Sequence, residues 1–171
     1  LAHPPVTFAH EKRKYDVRMP AARKFIADHK LNELVEGRHK DVGLIVQGGI
    51  YPSLIRALQQ VGLADAFGNI ELPLLVLNVV YPLVPDEIVA FAAGRKAVLV
   101  IEEGQPEYIE HEVGSILRRA DVNTAVHGKD VLPMAGEYTS EVLLGGLVKF
   151  IAARVPALGN IGDGGYAAEI A

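Results

Sequence analysis

Short apolar runs alternate with helix-period segments from Asp41 onward, and this alternation constrains the fold more than any single residue does. The runs are residues 42–46, 74–80, 97–101 and, more weakly, 124–126. Continuous apolar runs are typical of parallel strands that are buried on both faces, with the intervening helices covering those faces. The sequence therefore predicts an α/β fold, a three-layer α/β/α arrangement around a mainly parallel sheet of at least four strands.

Helices are predicted between and after these runs from their apolar stripes and their start signals. Pro52, Pro85 and Pro106 each stand where a first helical turn is expected, and proline is tolerated there. Thr139 is the predicted N-cap of the last helix. The pair Gly145-Gly146 inside that helix costs about 1 kcal/mol per glycine relative to alanine. Close packing against a neighbouring residue would account for the pair.

The flanking segments differ from this core and set the predicted domain boundaries. Residues 1–40 form a lead-in, with an extra strand predicted over residues 15–18 and a helix over residues 22–35. Residues 41–155 form the α/β domain. Residues 156–171 are rich in glycine and have no period, which predicts a linker.

Composition excludes several classes of function. The net charge of −4 argues against nucleic acid or an anionic membrane as the main partner. The absence of cysteine excludes disulfides, thiolate metal sites, iron–sulfur ligation and cysteine nucleophiles within this chain. No apolar run reaches membrane-spanning length, and the N-terminus resembles neither a signal sequence nor a presequence. We therefore expect a cytoplasmic protein, and the opening at Leu1 suggests a piece of a longer one.

Four segments follow the predicted strands and are expected to meet at one edge of the sheet, because parallel strands all end on the same side. They are residues 47–49, 81–82, 102–106 and 127–130. Ligands of open parallel sheets bind beyond this edge. Gly48-Gly49 could let backbone N–H groups approach an anion at the next helix. A tight turn that needs positive φ explains the pair more simply, because no glycine-rich nucleotide-binding motif is present.

Two pairs of side chains are candidates for chemistry. Glu102 and Glu103 could act as paired carboxylates, because adjacent like charges raise one pKa. The simpler interpretation is that one faces solvent or a partner domain, while the other lies near the positive end of the helix that Pro106 opens. Glu107 and His111 stand four residues apart, which predicts a surface pair rather than a metal site, since no further ligand has the required spacing.

The order of four motifs resembles a known domain. The motifs are residues 15–20, VGLIVQGGIY at residues 42–51, VVYPLVP at residues 79–85, and VLVIEE at residues 98–103 followed by Pro106, Tyr108 and Glu110. Together they resemble the transketolase C-terminal-like domain of the 2-oxoacid:ferredoxin oxidoreductase family, and most of all that domain in the α subunit of indolepyruvate:ferredoxin oxidoreductases. The resemblance covers about residues 15–154.

The function follows from this resemblance and not from the periodicity. Family members decarboxylate 2-oxoacids, here aryl-2-oxoacids such as indolepyruvate, on thiamine diphosphate and Mg²⁺. They pass electrons through iron–sulfur clusters to ferredoxin, and an acyl-CoA forms. The domain resembled here lies between the pyrimidine-binding and diphosphate-binding domains, and packs against both and against a partner subunit. We therefore expect a non-catalytic structural and interface domain that is inactive in isolation.

No catalytic, cofactor-binding or metal-binding residue of the family can be placed on this chain. The upstream domain with its glutamate and the cysteines of the clusters have no counterpart in this sequence. Residues 162–164, Gly-Asp-Gly, match the start of the Mg-diphosphate motif, which requires an asparagine further along. Only seven residues follow Gly164, so we interpret the match as chance.

The residues expected at an interface are Gly48, Tyr51, Glu102 and Glu103, with both carboxylates at least partly exposed. Two other hypotheses remain open. One is the corresponding domain of a 2-oxoacid dehydrogenase E1β subunit or of transketolase. The other is an independent flavodoxin-like module, which would require a phosphate-binding loop after the first strand.

Overall fold

The computed structural model describes residues 3–158 and contains one five-stranded sheet within them. The strands are β1 (Glu33–Val35), β2 (Val42–Gln47), β3 (Leu74–Leu77), β4 (Ala97–Ile101) and β5 (Ala125–His127). Their spatial order is β1-β3-β2-β4-β5. Strands β3, β2, β4 and β5 pair in parallel, which confirms the predicted mainly parallel sheet. Strand β1 pairs antiparallel with β3 at the edge.

Six α-helices are described. They are α1 (Val6–Arg13), α2 (Met19–Asp28), α3 (Tyr51–Gln60), α4 (Pro85–Ala92), α5 (Tyr108–Arg119) and α6 (Ser140–Arg154). A π-helical turn, Lys14–Arg18, joins α1 to α2, and 3₁₀ turns occur at Gly48–Ile50 and Pro156–Leu158. The predicted start signals are confirmed for α3, which has proline in its first turn, and for α6, where the Thr139 hydroxyl accepts from Val142 N at 3.4 Å. Helix α5 begins two residues after Pro106.

The helices cover both faces of the sheet, as the three-layer prediction requires. On one face α3 and α6 pack over side chains such as Leu44 and Val46. On the other face α4 and α5 pack over the alternate side chains, among them Ile45 and Val98. The predicted core residues Leu44, Val46, Leu75, Leu77, Val98 and Val100 are all buried. Val126 is only partly buried, because β5 is an edge strand with one neighbour.

The lead-in differs from its prediction in two places. Residues 15–18 belong to the helical turn and not to a strand, because backbone hydrogen bonds continue from α1 into α2. The predicted helix over residues 22–35 ends at Asp28. Lys30 then adopts a left-handed conformation with φ of 50°, and β1 follows, paired with β3. A lysine in this conformation gives no stop signal of the kind that glycine gives.

Several predictions lie at the limits of what is described. The boundaries at residues 40 and 155 stay predictions. Residues 162–164 and most of the predicted linker lie outside the described residues. Of the glycine pair in α6, only Gly146 is closely packed, because a Cβ there would overlap the Leu132 side chain. A Cβ on Gly145 would face open space.

Candidate functional site: the cleft at the strand switch point

The direction in which the chain adds strands to the sheet reverses between β2 and β4. From β2 the chain moves outward to β3, then returns across the sheet to β4 on the other side of β2. Crevices of open sheets form at such points, beyond the carboxyl ends of the strands. A cleft of about 750 Å³ opens here, and we call it the switch-point cleft. Its lining is Arg23, Gln47, Val80 to Leu83, Glu102 to Pro106, Tyr108, Ile109 and Glu112.

The four segments predicted at this edge do come together. Gln47 bridges the two strands, because its Oε1 accepts a hydrogen bond from Glu103 N at 2.9 Å. Tyr81 and Pro82 form part of the same cleft. Residues 127–130 reach it from β5 through Lys129, whose Nζ donates to the Glu102 carbonyl at 2.5 Å.

Glu102 forms part of the cleft floor and acts as a helix cap. Its carboxylate accepts from Ile109 N at 2.9 and 3.0 Å and from Glu110 N at 3.2 Å. These N–H groups lie at the start of α5, where the helix dipole favours a negative charge. The prediction that one carboxylate lies near this helix end is confirmed. The prediction that its carboxylate is partly exposed is wrong, because Glu102 is only 6% exposed.

Glu103 behaves differently from its neighbour. The residue is exposed, as predicted, while its Oε1 accepts from Tyr138 N at 2.6 Å. Successive residues of an extended segment point to opposite sides, so one carboxylate turns inward and the next turns outward. The two therefore do not form a pair that shares one environment.

A second carboxylate fixes the loop that follows β5. Glu110 Oε2 accepts from Lys129 N at 2.9 Å. Gly128 is buried beside this carboxylate, and a Cβ there would overlap it. Gly128 thus allows the Glu110 carboxylate to approach the backbone of this loop closely. Glu102 and Glu110 together hold two backbone segments in place, the start of α5 and the loop after β5.

Lys129 and Tyr138 lie behind the cleft lining, where they support Glu102, and we count them with it as the floor. Lys129 Nζ donates to Tyr138 Oη at 2.7 Å, and the tyrosine hydroxyl donates to the Pro133 carbonyl at 2.6 Å. Burial raises the pKa of Tyr138 to about 12, and the charges of Glu110, Glu102 and Glu103 add to this shift. Burial lowers the pKa of Lys129, although the same carboxylates oppose the change.

A histidine, an aspartate and an arginine form a cluster at the end of β5 that the sequence did not reveal. His127 Nδ1 lies 2.5 Å from Asp130 Oδ2, and Arg154 Nε donates to His127 Nε2 at 2.9 Å. The proton therefore sits on Nδ1, and the lone pair of Nε2 is occupied by Arg154. A general base needs that lone pair for its substrate. Only the spacing of His127 and Asp130 was visible in the sequence, since Arg154 lies 27 residues away.

The rim of the cleft carries aromatic and apolar side chains next to the Glu103 carboxylate. Tyr81 and Tyr108 are 70% and 71% exposed, and Val80 is also exposed. A smaller hollow adjoins it and includes Gly48 and Glu103.

The structure revises the roles of two predicted interface residues. A Cβ on Gly48 would lie 2.6 Å from Asn78 Oδ1, so any larger residue there would displace the Asn78 side chain. The predicted positive φ is wrong for both Gly48 and Gly49. Tyr51 lies apart from the cleft and packs against the hydrophobic core on the α3 side of the sheet.

The described residues were compared with what a metal ion or an iron–sulfur cluster needs as ligands. Within residues 3–158 no three His, Cys, Asp or Glu side chains are grouped so that they could hold a metal ion. His111 Nε2 lies 3.4 Å from Glu107 Oε1, which is the predicted surface pair. Iron–sulfur clusters are held by cysteine thiolates, which this chain lacks. In the same residues, no helix has both the length and the hydropathy to cross a membrane.

Sheet order, layer arrangement and cleft define a transketolase C-terminal-like α/β domain. Two solved structures share this fold. A 2-oxoglutarate:ferredoxin oxidoreductase from Magnetococcus marinus superposes with a TM-score of 0.56 at 21% identity, covering 87% of this chain and 24% of the other. A split-gene transketolase, described as an inactive β4 tetramer, gives a TM-score of 0.50 at 18% identity, covering 72% of this chain and 42% of the other.

The family model of the indolepyruvate ferredoxin oxidoreductase middle domain matches residues 31–140. This chain therefore belongs to the indolepyruvate ferredoxin oxidoreductase family, as the resemblance implied. Indolepyruvate oxidoreductase subunit IorA of Methanothermobacter thermautotrophicus is 32% identical over 142 residues, which is 81% of this chain and 22% of that subunit. IorA of Thermococcus kodakarensis is 27% identical over 71% of this chain and 18% of its own length. The chain spans about a fifth of these relatives.

Proposed function

We propose that this chain is the structural and interface domain of a cytoplasmic, thiamine-diphosphate-dependent oxidoreductase that decarboxylates aryl-2-oxoacids such as indolepyruvate. In this proposal no catalytic step takes place on the chain itself. Thiamine diphosphate, Mg²⁺ and the iron–sulfur clusters are held by other domains, and ferredoxin accepts the electrons. The family match and the names of the relatives support the enzyme class.

The observation that carries the proposal is that the polar groups on the floor of the switch-point cleft are engaged in hydrogen bonds within the domain. Glu102 caps α5, and Lys129 donates to the Glu102 carbonyl and to Tyr138. Nearby, His127 Nε2 is occupied by Arg154. A general acid or base must reach a substrate proton with a donor or lone pair that nothing else holds. This arrangement favours a structural role over catalysis.

The rim of the cleft supports the interface part of the proposal. Tyr81, Tyr108 and Val80 are exposed there, next to the carboxylate of Glu103. Aromatic side chains with a polar tip are enriched at the centres of protein interfaces. Of the four residues predicted at an interface, Glu103 lines the cleft and Gly48 lines the adjoining hollow, Glu102 lies in the cleft floor, and Tyr51 lies apart from it.

Calorimetry with thiamine diphosphate and Mg²⁺ tests the catalytic half of the proposal. The chain is expected to give no binding heat and no turnover of indolepyruvate, while circular dichroism shows a folded α/β protein. A micromolar dissociation constant, equivalent to about −8 kcal/mol, would overturn the assignment as a non-catalytic domain.

The interface half is tested in the longer natural protein. Tyr81→Ser combined with Tyr108→Ser is expected to weaken subunit or domain assembly, and activity with it. Phe67→Ser is the matched control, because Phe67 is 93% exposed and lies outside the cleft. Equal effects of the rim variant and the control would contradict the assignment of this surface.

A further inference from the structure

The imidazole of His127 is bonded at both of its ring nitrogens. Its Nδ1 lies 2.5 Å from Asp130 Oδ2, and its Nε2 accepts a hydrogen bond from Arg154 Nε at 2.9 Å. His127 is the last residue of β5, whereas Arg154 is the last residue of α6. The His127 side chain is only 14% exposed, so little water competes for these contacts. The ring therefore ties the C-terminal end of α6 to the end of β5.

Among the described residues, two charged groups lie within hydrogen-bonding distance of this ring. They are Asp130 on the loop after β5 and Arg154 on α6. Apolar side chains make up its other surroundings. Phe150 of α6 packs edge-on with ring centroids 5.6 Å apart, and Leu99 is the partner of His127 on β4. Helix α5 packs on the opposite face of the sheet. One carboxylate and one guanidinium therefore decide how the ring responds to a proton.

A proton on Nε2 would abolish the contact with Arg154. Arginine has donors only, so it needs the lone pair that a neutral imidazole keeps on one nitrogen. In the imidazolium both nitrogens are donors. The Nε2–H group would then face the Arg154 Nε–H group at 2.9 Å, and two positive charges would repel each other. The contact between β5 and α6 therefore exists only while His127 is neutral.

The contact with Asp130 responds in the opposite sense. Burial raises the pKa of Asp130, but hydrogen bonds from Gly128 N and His127 outweigh it, so the pKa lies below its usual value. The carboxylate therefore stays ionised where imidazoles generally gain a proton, between about pH 5 and pH 8. An imidazolium would make a charge-assisted hydrogen bond to it. Protonation thus keeps the ring bound to its own loop and releases Arg154.

We propose that His127, Asp130 and Arg154 form a proton-operated clasp, which is closed at neutral pH and open in mild acid. In the closed state the last turn of α6 is fixed against β5. In the open state Arg154 turns to solvent and this turn frays, while the buried Leu147 and Phe150 keep the rest of α6 packed. The clasp thus controls how firmly the chain after α6 is attached to the domain. It lies outside the lining of the switch-point cleft, so it goes beyond the proposed function and can fail separately.

Nuclear magnetic resonance of the complete 171-residue chain tests the clasp between about pH 8 and pH 5. The nitrogen chemical shifts of His127 are expected to show a proton on Nδ1 alone at the upper end and on both nitrogens at the lower end. Amide exchange, corrected for its intrinsic pH dependence, measures the last turn. Protection of residues 152–155 should fall by roughly fivefold in acid, the size expected for one lost hydrogen bond. Protection of Leu147 should stay constant.

Three variants separate the clasp from other effects of pH. His127→Gln keeps an acceptor for Arg154 but cannot gain a proton, so protection of the last turn should no longer depend on pH. Arg154→Ala should leave this turn weakly protected at every pH, while His127 still titrates. His111→Gln is the matched control, because His111 is a histidine of α5 that pairs with Glu107, and it should preserve the pH effect.

The outcomes that would rule out the clasp are specific. One is constant protection of residues 152–155 while His127 gains its second proton. Another is a pH effect that persists in both His127→Gln and Arg154→Ala, and a third is a His127 ring that stays neutral down to about pH 5. Circular dichroism at both ends of the range checks that each variant is folded. Arg154 is exposed, so Arg154→Ala provides the test even if His127→Gln does not fold.

Discussion

The floor and the rim of the switch-point cleft contain similar residue types and use them in opposite ways. On the floor, Glu102 and Tyr138 are buried and make hydrogen bonds to backbone groups of their own chain. On the rim, Glu103 and Tyr81 are exposed to solvent. The comparison teaches that residue type does not decide the role of a side chain. Burial beside backbone N–H groups fixes local structure, whereas exposure leaves the side chain able to contact a partner.

The sharpest test of this difference uses the adjacent carboxylates. Glu102→Ala is expected to lower the free energy of unfolding by about 2–4 kcal/mol, because two N–H groups at the start of α5 lose their acceptor in a buried site. Glu103→Ala should cost within about 1 kcal/mol, since water can replace an exposed carboxylate. Urea denaturation measures both variants. Equal losses would mean that floor and rim do not differ.

A glycine substitution tests how tightly the floor is packed. Gly128→Ala is expected to cost about 1–3 kcal/mol, because the new Cβ displaces the Glu110 carboxylate and leaves Lys129 N unsatisfied. Gly114→Ala in α5 is the control, since its Cβ would meet open space, and it should stabilise the helix by up to about 1 kcal/mol. Thermal unfolding of the two variants measures this contrast. If Gly128→Ala left the free energy of unfolding unchanged, the Glu110 side chain would have to move aside at little cost.

Ionisation of the Tyr138 hydroxyl makes the stability of the floor depend on pH. Its pKa is raised to about 12 in the folded protein, so its contribution to stability is present below the unfolded value near 10 and is lost as pH rises through 12. Tyr138→Phe should remove that loss and cost about 1 kcal/mol at neutral pH through its missing hydrogen bonds. Absorbance titration should show one late tyrosine that is missing from the variant. A titration without a late step would contradict the burial of this hydroxyl.

The rim is expected to be the least sensitive to substitution. Tyr81→Ser and Tyr108→Ser should each change the free energy of unfolding by within about 0.5 kcal/mol, because surface changes rarely do more. Chemical denaturation of the isolated chain provides the measurement. A loss of several kcal/mol from either variant would place the rim with the floor as part of the folded core.

Local periodicity predicted much of the fold. Strand β4 was predicted at its observed limits, 97–101, and Thr139 was correctly assigned as the cap of α6. Both follow from interactions within a few residues, namely a continuous apolar run and a hydroxyl next to the first helical turn. The helix predicted over residues 22–35 was wrong in its second half. The apolar spacing there fits a helix, but residues 33–35 pair as a strand with the open edge of β3.

The site shows the same division. The sequence alone determined that the chain has a buried parallel sheet, that four segments meet at one edge, and that the family is that of indolepyruvate ferredoxin oxidoreductases. Only the tertiary structure decided that the Glu102 carboxylate turns inward to α5 while that of Glu103 turns outward. The same is true of the hydrogen bond that Arg154 donates to His127 Nε2. Hydrophobic periods are local and can be recognised in one dimension. Burial and hydrogen-bond partners depend on contacts between residues far apart in the chain, so they exist only once the chain has folded.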